Sequence, residues 1–301
     1  MDTVESRGFW EHEECLKEKW WVFHDESIPN KQWLLIGLLF VRQDNVEEVK
    51  KMLNVARQEE GYKGEIHFSK LPKSFNGCYA SDARVALEWI KLYETNFCEL
   101  AFFTCLAVDR KSPKYESRRF ARNFHEYNRF TAMALKSGIS WHLGKRNLNH
   151  LFIQFISDKK GRLSQPDKGW EDNFEDYIPY RAELDAYISH IAGKNYPKVT
   201  LNLEISDSAS DELLQLTDLL LGATQEAIVA GSSRPVKQEL GRYALSWCQD
   251  LKKKPWQQQY RLHRKFNVWG FPDKEGKPYN DISFALKMNP NQLSLFDENV
   301  F

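Results

Sequence analysis

The sequence predicts an α/β fold in which a mixed β-sheet is flanked by helices. Two apolar segments, 20–25 and 32–42, are separated by a polar turn that contains Pro29 and Asn30, a pattern typical of a β-hairpin. After this hairpin, apolar strand-like segments alternate with segments of helical periodicity. That alternation indicates a layered structure of sheet and helices.

The other elements follow in order along the chain. Residues 44–60 have apolar side chains at helical spacing after a capping Asp44, and residues 81–93 predict a second helix. Residues 98–108 are apolar on both alternating faces, as in a strand that is covered on both sides. Further helices are predicted at 117–136, 171–191 and 211–229, and further strands at 150–157 and 198–205.

Composition and local pattern predict three regions. Residues 18–232 contain the alternating elements and form the predicted core domain. Residues 233–270 are predicted to be a basic helical extension, and residues 271–301, rich in Gly, Pro and polar side chains, a flexible tail.

Several classes of protein are excluded by composition. The 42 Lys and Arg residues balance the 42 Asp and Glu residues, so total charge gives no sign of a nucleic-acid partner, although separate patches can cancel. No apolar run reaches the roughly 18 residues of a membrane helix, and the polar start does not resemble an export signal. The five cysteines have neither metal-site nor disulfide spacing. We therefore expect a cytoplasmic protein without membrane association.

Carboxylates follow the predicted strands. Asp25 ends the first strand, Asp109 follows the strand at 98–108, and Asp158 follows the strand at 150–157. Each of them has an alternative explanation as a turn residue that binds its own backbone. Open α/β folds place their sites at the carboxyl ends of strands, so these acids are candidates for one common site.

A helix and an extended segment add further acids. Asp211 has a sufficient explanation as a helix cap in Ser208-x-x-Asp211, whereas Asp218 lies two turns into a leucine-rich helix. A polar stripe there must face water, a polar partner or a metal. Glu65 and His67 point to the same side if their segment is extended, either into the site or on an exposed strand face.

Clustered carboxylates suit hard cations such as Mg²⁺, and a two-metal site uses several of them to hydrolyse a phosphodiester. The sequence contains no G-x-S-x-G, P-loop or H-E-x-x-H motif. The residues therefore favour metal-dependent hydrolysis over nucleophilic side-chain catalysis.

Three short motifs resemble a known family. They are His24-Asp-Glu-Ser27, Glu65-Ile-His67, and Asp207-Ser208 followed by Gln215-Leu-Thr-Asp218. They are similar to the bacterial family called domain of unknown function 3800, which is regarded as RNase H-like. In one departure from it, Ile28 stands where relatives usually have Gly.

The resemblance implies a mixed sheet with Asp25 on its first strand and hydrolysis dependent on two Mg²⁺ or Mn²⁺ ions. It implies that Asp25 bridges both ions, that Glu65 and Asp218 hold one each, and that Asp158 completes the site. Asp109, Asp207 and Asp211 remain alternatives to Asp158. His67 or Lys159 is a candidate for protonating the leaving oxygen.

Near the end of the chain, residues 292–296 read QLSLF. They match the pentapeptide by which many bacterial polymerases and repair proteins bind the DNA polymerase III sliding clamp (β clamp). The predicted clamp-binding residues are Gln292, Leu293, Ser294, Leu295 and Phe296. The alternative is a tail that docks on its own domain.

Basic clusters are candidates for binding phosphates, although most such clusters are solvated surface. The candidates here are Arg118, Arg122, Lys159 and Lys160. The sequence thus predicts a nucleoid-associated nuclease that is recruited by the clamp, which favours DNA over RNA as substrate without deciding between them. Two alternatives are a non-catalytic clamp-binding adaptor and an RNA-cleaving defence or toxin nuclease.

Overall fold

The computed structural model describes residues 17–97, 100–120, 123–144, 146, 148–159, 172–194, 196–253 and 265–272. The strands are β1 Lys17–Ser27, β2 Trp33–Arg42, β3 Ala101–Asp109, β4 His150–Asp158, β5 Lys198–Ser206 and β6 Phe266–Phe271. The longer helices are α1 Val46–Glu59, α2 Ser81–Thr95, α3 Asn123–Gly138, α4 Phe174–Ile191, α5 Glu212–Val229 and α6 Pro235–Lys253.

The strands form one mixed sheet in the order β5-β4-β1-β2-β3-β6. β1 and β2 are the antiparallel hairpin that the sequence predicts, and β3 continues it in the antiparallel sense. β4 and β5 extend the sheet on the other side of β1, each parallel to its neighbour. Because β1 lies next to both β2 and β4, its carboxyl end adjoins the carboxyl end of a parallel strand.

Helices cover both faces of this sheet. The core on one face joins the sheet to α1, α2, α5 and α6, and the core on the other face joins it to α3 and α4. Alternation along β1 explains the division, since Val22 belongs to the second core and Phe23 to the first. The predicted fold class, a mixed sheet flanked by helices, is confirmed.

The helix predicted at 117–136 begins later than expected. Ser117–Arg119 is a separate 3₁₀ turn, and Phe120 after it has an extended backbone, with φ −111° and ψ 108°. The Phe120 ring packs on Phe130 of α3. Arg118 therefore lies in the turn and not in the helix, and Arg122 lies outside the described residues.

The predicted division of the chain at residue 232 does not coincide with a boundary of the packed core. In α6 the side chains of Val236, Leu240 and Trp247 are buried in the same core as α5. Residues 266–271, predicted to be part of a helical extension, instead form β6, which pairs with β3. The basic residues of this region include those of an amphipathic helix, α6, whose apolar side is buried in the core. Residues 273–301 lie outside the described residues.

None of the helices in the described ranges is both long enough and apolar enough to cross a membrane.

Candidate active site

Two carboxylates lie at the carboxyl ends of neighbouring parallel strands. β1 and β4 pair with His24 opposite Ser157, so the next residues in register are Asp25 and Asp158. Side chains alternate along a strand, and both acids belong to the face that α5 covers. The strand register thus brings together two residues that are far apart in the chain.

Helix α5 carries the third acid to the same edge. Its first turn is capped by Asp211, whose Oδ1 accepts hydrogen bonds from the backbone N–H groups of Leu213 (2.8 Å) and Leu214 (3.3 Å). The helix packs on β1 and β2, where a Cβ atom on Gly37 would lie 3.2 Å from the Leu221 side chain. This close approach places Asp218 beside the end of β1.

The fourth acid, Glu65, lies in a segment that α5 holds in place. This segment is not a strand: residues 65–67 are irregular, and Phe68–Lys70 forms a 3₁₀ turn. The backbone N–H of Phe68 donates to Asp218 Oδ2 (2.6 Å), and that of Ile66 donates to Gln215 Oε1 (2.9 Å). Two polar side chains of α5 therefore position the segment.

The four predicted site acids, Asp25, Glu65, Asp158 and Asp218, all line one cleft of about 390 Å³. His67, Ser208, Gln215 and Lys237 line it as well. The alternatives Asp109, Asp207 and Asp211 do not. Their carboxylates accept backbone hydrogen bonds from Lys111, from Ala209, and from Leu213 and Leu214, which are the turn and cap roles that the sequence allows.

Each carboxylate of the cleft has a partner within the protein. Asp218 Oδ2 lies 2.9 Å from His67 Nδ1, and Asp158 Oδ1 accepts from the backbone N–H of Ser208 (3.1 Å). Glu65 forms an ion pair with Lys70. Asp25 is buried, with 7% of its surface exposed, and it also takes part in an interaction.

The hydrogen bond to Asp218 raises the pKa of His67 above its ordinary value, while burial acts in the opposite direction. His67 is therefore protonated at a higher pH than an ordinary histidine. A cationic His67 strengthens its bond to the Asp218 carboxylate.

The chemistry of these side chains suits a divalent metal ion, because carboxylate oxygens are the preferred ligands of Mg²⁺. Within the described part of the chain, however, no three His, Cys, Asp or Glu side chains are close enough together to hold one ion. The acids line one cleft without converging on one point. To bind one ion in common, the acids must come closer together than they lie here.

The cleft also includes residues that were not among the predicted site residues. Ser27 Oγ donates to Gln225 Oε1, and Lys237 at the start of α6 reaches the cleft from beyond the predicted domain boundary. Gln215 belongs to one of the family motifs, but the motif does not show that its amide holds the Glu65 segment. No local signal distinguishes Lys237 from the other basic residues around it.

The predicted phosphate-binding residues lie elsewhere or are not described. Arg118 and Lys159 are exposed and do not line the cleft. Lys160 lies outside the described residues, as do the five residues of the QLSLF motif.

Two solved structures show weak similarity to this chain. The ribonuclease H2 from Pyrococcus horikoshii OT3 is 12% identical, with a TM-score of 0.34, and the match covers 81% of this chain and 96% of that chain. The RNase HII from Archaeoglobus fulgidus, solved in a complex with PCNA, is 12% identical, with a TM-score of 0.33 and coverages of 79% and 91%. At these scores the similarity carries no information about activity.

Comparisons with protein-family models and with curated proteins find no significant match.

Proposed function

We propose that this protein is a Mg²⁺- or Mn²⁺-dependent nuclease that hydrolyses phosphodiester bonds in the cleft of Asp25, Glu65, Asp158 and Asp218. One observation carries the proposal: four acids from four separate parts of the chain line a single cleft at the carboxyl ends of two parallel strands. Buried or half-buried carboxylates are costly to keep together unless a cation or hydrogen bonds compensate them.

In this proposal Asp25 would be the ligand shared by the ions, because it lies at the end of β1 beside Asp158 of β4 and on the face that α5 covers. Glu65 and Asp218 would each hold one ion, and Asp158 would complete the site. Two such ions, when bound, supply a water nucleophile at neutral pH and stabilise the charge that develops on the phosphate.

His67 is the better candidate for protonating the leaving oxygen, because it lines the cleft and Lys159 does not. Asp218 fixes the ring through Nδ1. Among the described residues no hydrogen bond involves Nε2, so this atom is left to face the substrate and donate a proton.

We further propose that the chain belongs to the domain of unknown function 3800 family and that the clamp recruits it to DNA. The family motifs and the QLSLF sequence support these two proposals. A tethered motif raises the local concentration of the enzyme at DNA, which favours DNA over RNA as substrate and a nucleoid location.

The direct test is a cleavage assay on labelled single-stranded and duplex DNA, with RNA of the same sequence in parallel. We expect cleavage with Mg²⁺ or Mn²⁺ and none in EDTA. Asp25→Asn should reduce the rate about 1000-fold, since each factor of ten is about 1.4 kcal/mol and metal stabilisation of the transition state amounts to several kcal/mol. Asp109→Asn, outside the cleft, is the matched control and should retain activity.

A second candidate function is a non-catalytic clamp-binding adaptor. It is favoured by the pairing of Glu65 with Lys70 and of Asp218 with His67, which gives these acids a structural role. Equal activity of the wild type and Asp25→Asn, or no cleavage of any substrate, would support the adaptor. Cleavage of RNA alone would support a defence or toxin nuclease.

Clamp recruitment is tested separately by retention of the protein on an immobilised bacterial sliding clamp. Leu295→Ala together with Phe296→Ala should abolish retention, because these apolar side chains are expected to fill the clamp pocket. Val300→Ala with Phe301→Ala is the matched double substitution outside the motif. Undiminished retention of the first variant would contradict the proposed docking.

A further inference from the structure

A second cavity of about 500 Å³ adjoins the carboxylate cleft. Both are lined by Pro29, Phe68, Gln225 and Lys237, so the two form one continuous groove. The groove leads from the strand ends, past the Phe68–Lys70 turn, to the residues that precede α6.

The two halves of this groove differ in charge. The cleft is lined by Asp25, Glu26, Glu65, Asp158 and Asp218. The second cavity has two cations, Arg234 and Lys237. Among the described residues, neither cation forms a salt bridge with a carboxylate, in contrast to Lys70 beside Glu65.

Hydrogen bonds hold both cations in place without neutralising them. The guanidinium of Arg234 donates to the carbonyl oxygens of Leu71 (2.5 Å) and Ser69 (3.3 Å). Lys237 Nζ donates to the same Ser69 oxygen (3.2 Å) and lies 4.9 Å from the centroid of the Phe68 ring. An ammonium group has three donors, so Lys237 retains capacity for another acceptor.

These two cations are close enough to repel each other. Burial lowers the pKa of Lys237, and the charge of Arg234 lowers it further, while Glu226 and Asp218 act in the opposite direction. The Glu226 carboxylate also lines the cavity, but it is 3% exposed and accepts a hydrogen bond from the backbone N–H of Ser232 (3.1 Å). Glu226 is therefore less accessible to an anion in the cavity than Arg234 and Lys237, which are only half-buried.

We propose that the second cavity binds a backbone phosphate of the nucleic-acid strand next to the one that is hydrolysed, with Lys237 and Arg234 as its ligands. The inference rests on the proposed nuclease function and specifies its substrate. A strand that lies in the groove has one phosphate among the carboxylates, where cations must compensate the repulsion, and the neighbouring phosphate against two fixed positive charges.

A consequence concerns the class of substrate. The second cavity contributes binding energy only when the strand continues past the cleaved bond. We therefore infer that the substrate is an oligonucleotide rather than a small phosphodiester, and that free inorganic phosphate competes weakly.

The test measures binding apart from cleavage. The affinity for a short labelled single-stranded oligonucleotide, as DNA and as RNA, is measured as a function of salt concentration, with Ca²⁺ present to compensate the carboxylates and in parallel in EDTA. Lys237→Gln should weaken binding about tenfold, as expected for the loss of a hydrogen bond between charged groups. It should also reduce the slope of log K against log salt by about 0.7, the value for one phosphate contact on a single strand.

Two variants serve as controls. Lys194→Gln removes the same charge from an exposed lysine between α4 and β5, at the opposite end of the sheet, and should leave affinity and slope unchanged. Lys237→Arg keeps the positive charge and should bind about as tightly as the wild type.

The outcomes separate this inference from the proposed function. Loss of affinity in Lys237→Gln supports the phosphate site even if no cleavage is found, in which case the nuclease proposal alone fails. An unchanged affinity and slope, or equal losses in Lys194→Gln, would overturn the site while Asp25-dependent cleavage could still stand. No measurable binding by the wild type would also overturn it. Displacement by inorganic phosphate at concentrations equal to those of oligonucleotide phosphate would show a general anion site and contradict strand recognition.

Discussion

Asp211 caps the start of α5 and Asp218 lies two turns further along this helix, yet their carboxylates bind different groups. Asp211 stands at the helix start, where backbone N–H groups of the first turn take up its oxygen. Asp218 lies where the helix N–H groups are already paired, and it accepts instead from Phe68 and His67. Position along the helix thus decides which carboxylate is available to the cleft.

Glu226 is a buried carboxylate beside the second cavity. Burial raises its pKa above the ordinary value of 4.5, although the Ser232 N–H and Lys237 partly oppose this. Between pH 4.5 and the raised pKa, the folded protein retains a proton that the unfolded chain has lost. The free energy of unfolding therefore falls as pH rises through this window and then becomes level.

Glu226→Gln should remove this dependence, because an amide keeps the acceptor for Ser232 and carries no charge at any pH. We expect the variant to be more stable than the wild type above the window and to differ less below it. Urea unfolding at a series of pH values measures the difference. Parallel stability curves for the two proteins would contradict the assignment.

At the scale of elements, α5 organises the candidate site. Gln215 accepts from Ile66 N–H and from Arg57, and its amide donates to the carbonyl oxygen of Ser208 (2.7 Å). One side chain thereby links the helix to the Glu65 segment and to the turn after β5. A rearrangement of α5 would displace acids on both sides of the cleft.

The contact between α5 and the Phe68 turn depends on a glycine. A Cβ atom on Gly222 would lie 2.1 Å from Cγ of the Phe68 ring, which is too close for any contact. Gly222→Ala should therefore push Phe68 and the Glu65 segment outward. We expect destabilisation of about 1–3 kcal/mol, the range for overpacking, together with reduced cleavage.

Gly231→Ala is the matched control, because its Cβ would lie 3.5 Å from the nearest atom, an ordinary contact. Urea unfolding and the cleavage assay measure both effects. If Gly222→Ala behaves like Gly231→Ala, the segment does not depend on this close packing.

At the scale of the whole molecule, the net charge of the chain is zero, but negative and positive side chains are unevenly distributed along the groove. Carboxylates line the half at the strand ends, and Arg234 and Lys237 line the other half. The second half depends on residues that follow α5, so the region beyond residue 232 contributes both to the packed core and to the groove.

A chain that ends at residue 232 should consequently fail to fold as the full chain does. It loses the buried Val236, Leu240 and Trp247, each worth about 1.5–3 kcal/mol, against a total stability of about 5–15 kcal/mol for a typical protein. Circular dichroism and thermal unfolding measure the loss. A chain that ends at residue 272 retains α6 and β6 and is the control; equal stability of the two would show that residues 18–232 are an independent domain.

Much of the fold could be predicted from the sequence, because strand and helix periodicity are local properties. The hairpin of β1 and β2, the alternation of strands and helices, and the capping by Asp211 are confirmed. The predictions for the start of α3 and for residues 266–271 were wrong for a common reason. Both regions make tertiary contacts, of Phe120 with Phe130 and of β6 with β3, and such contacts outweigh local preference.

The sequence by itself determined which acids follow the strands and which lies on a polar stripe of α5. It could not decide which of them share a cleft, because that depends on the register that sets Asp25 level with Asp158 and on the approach of Leu221 to Gly37. Only the tertiary structure added Lys237 and Arg234, since their place beside the carboxylates follows from the packing of α6 on α5. Which charged side chains interact depends on the distance between them in space. That distance cannot be derived from their spacing along the chain.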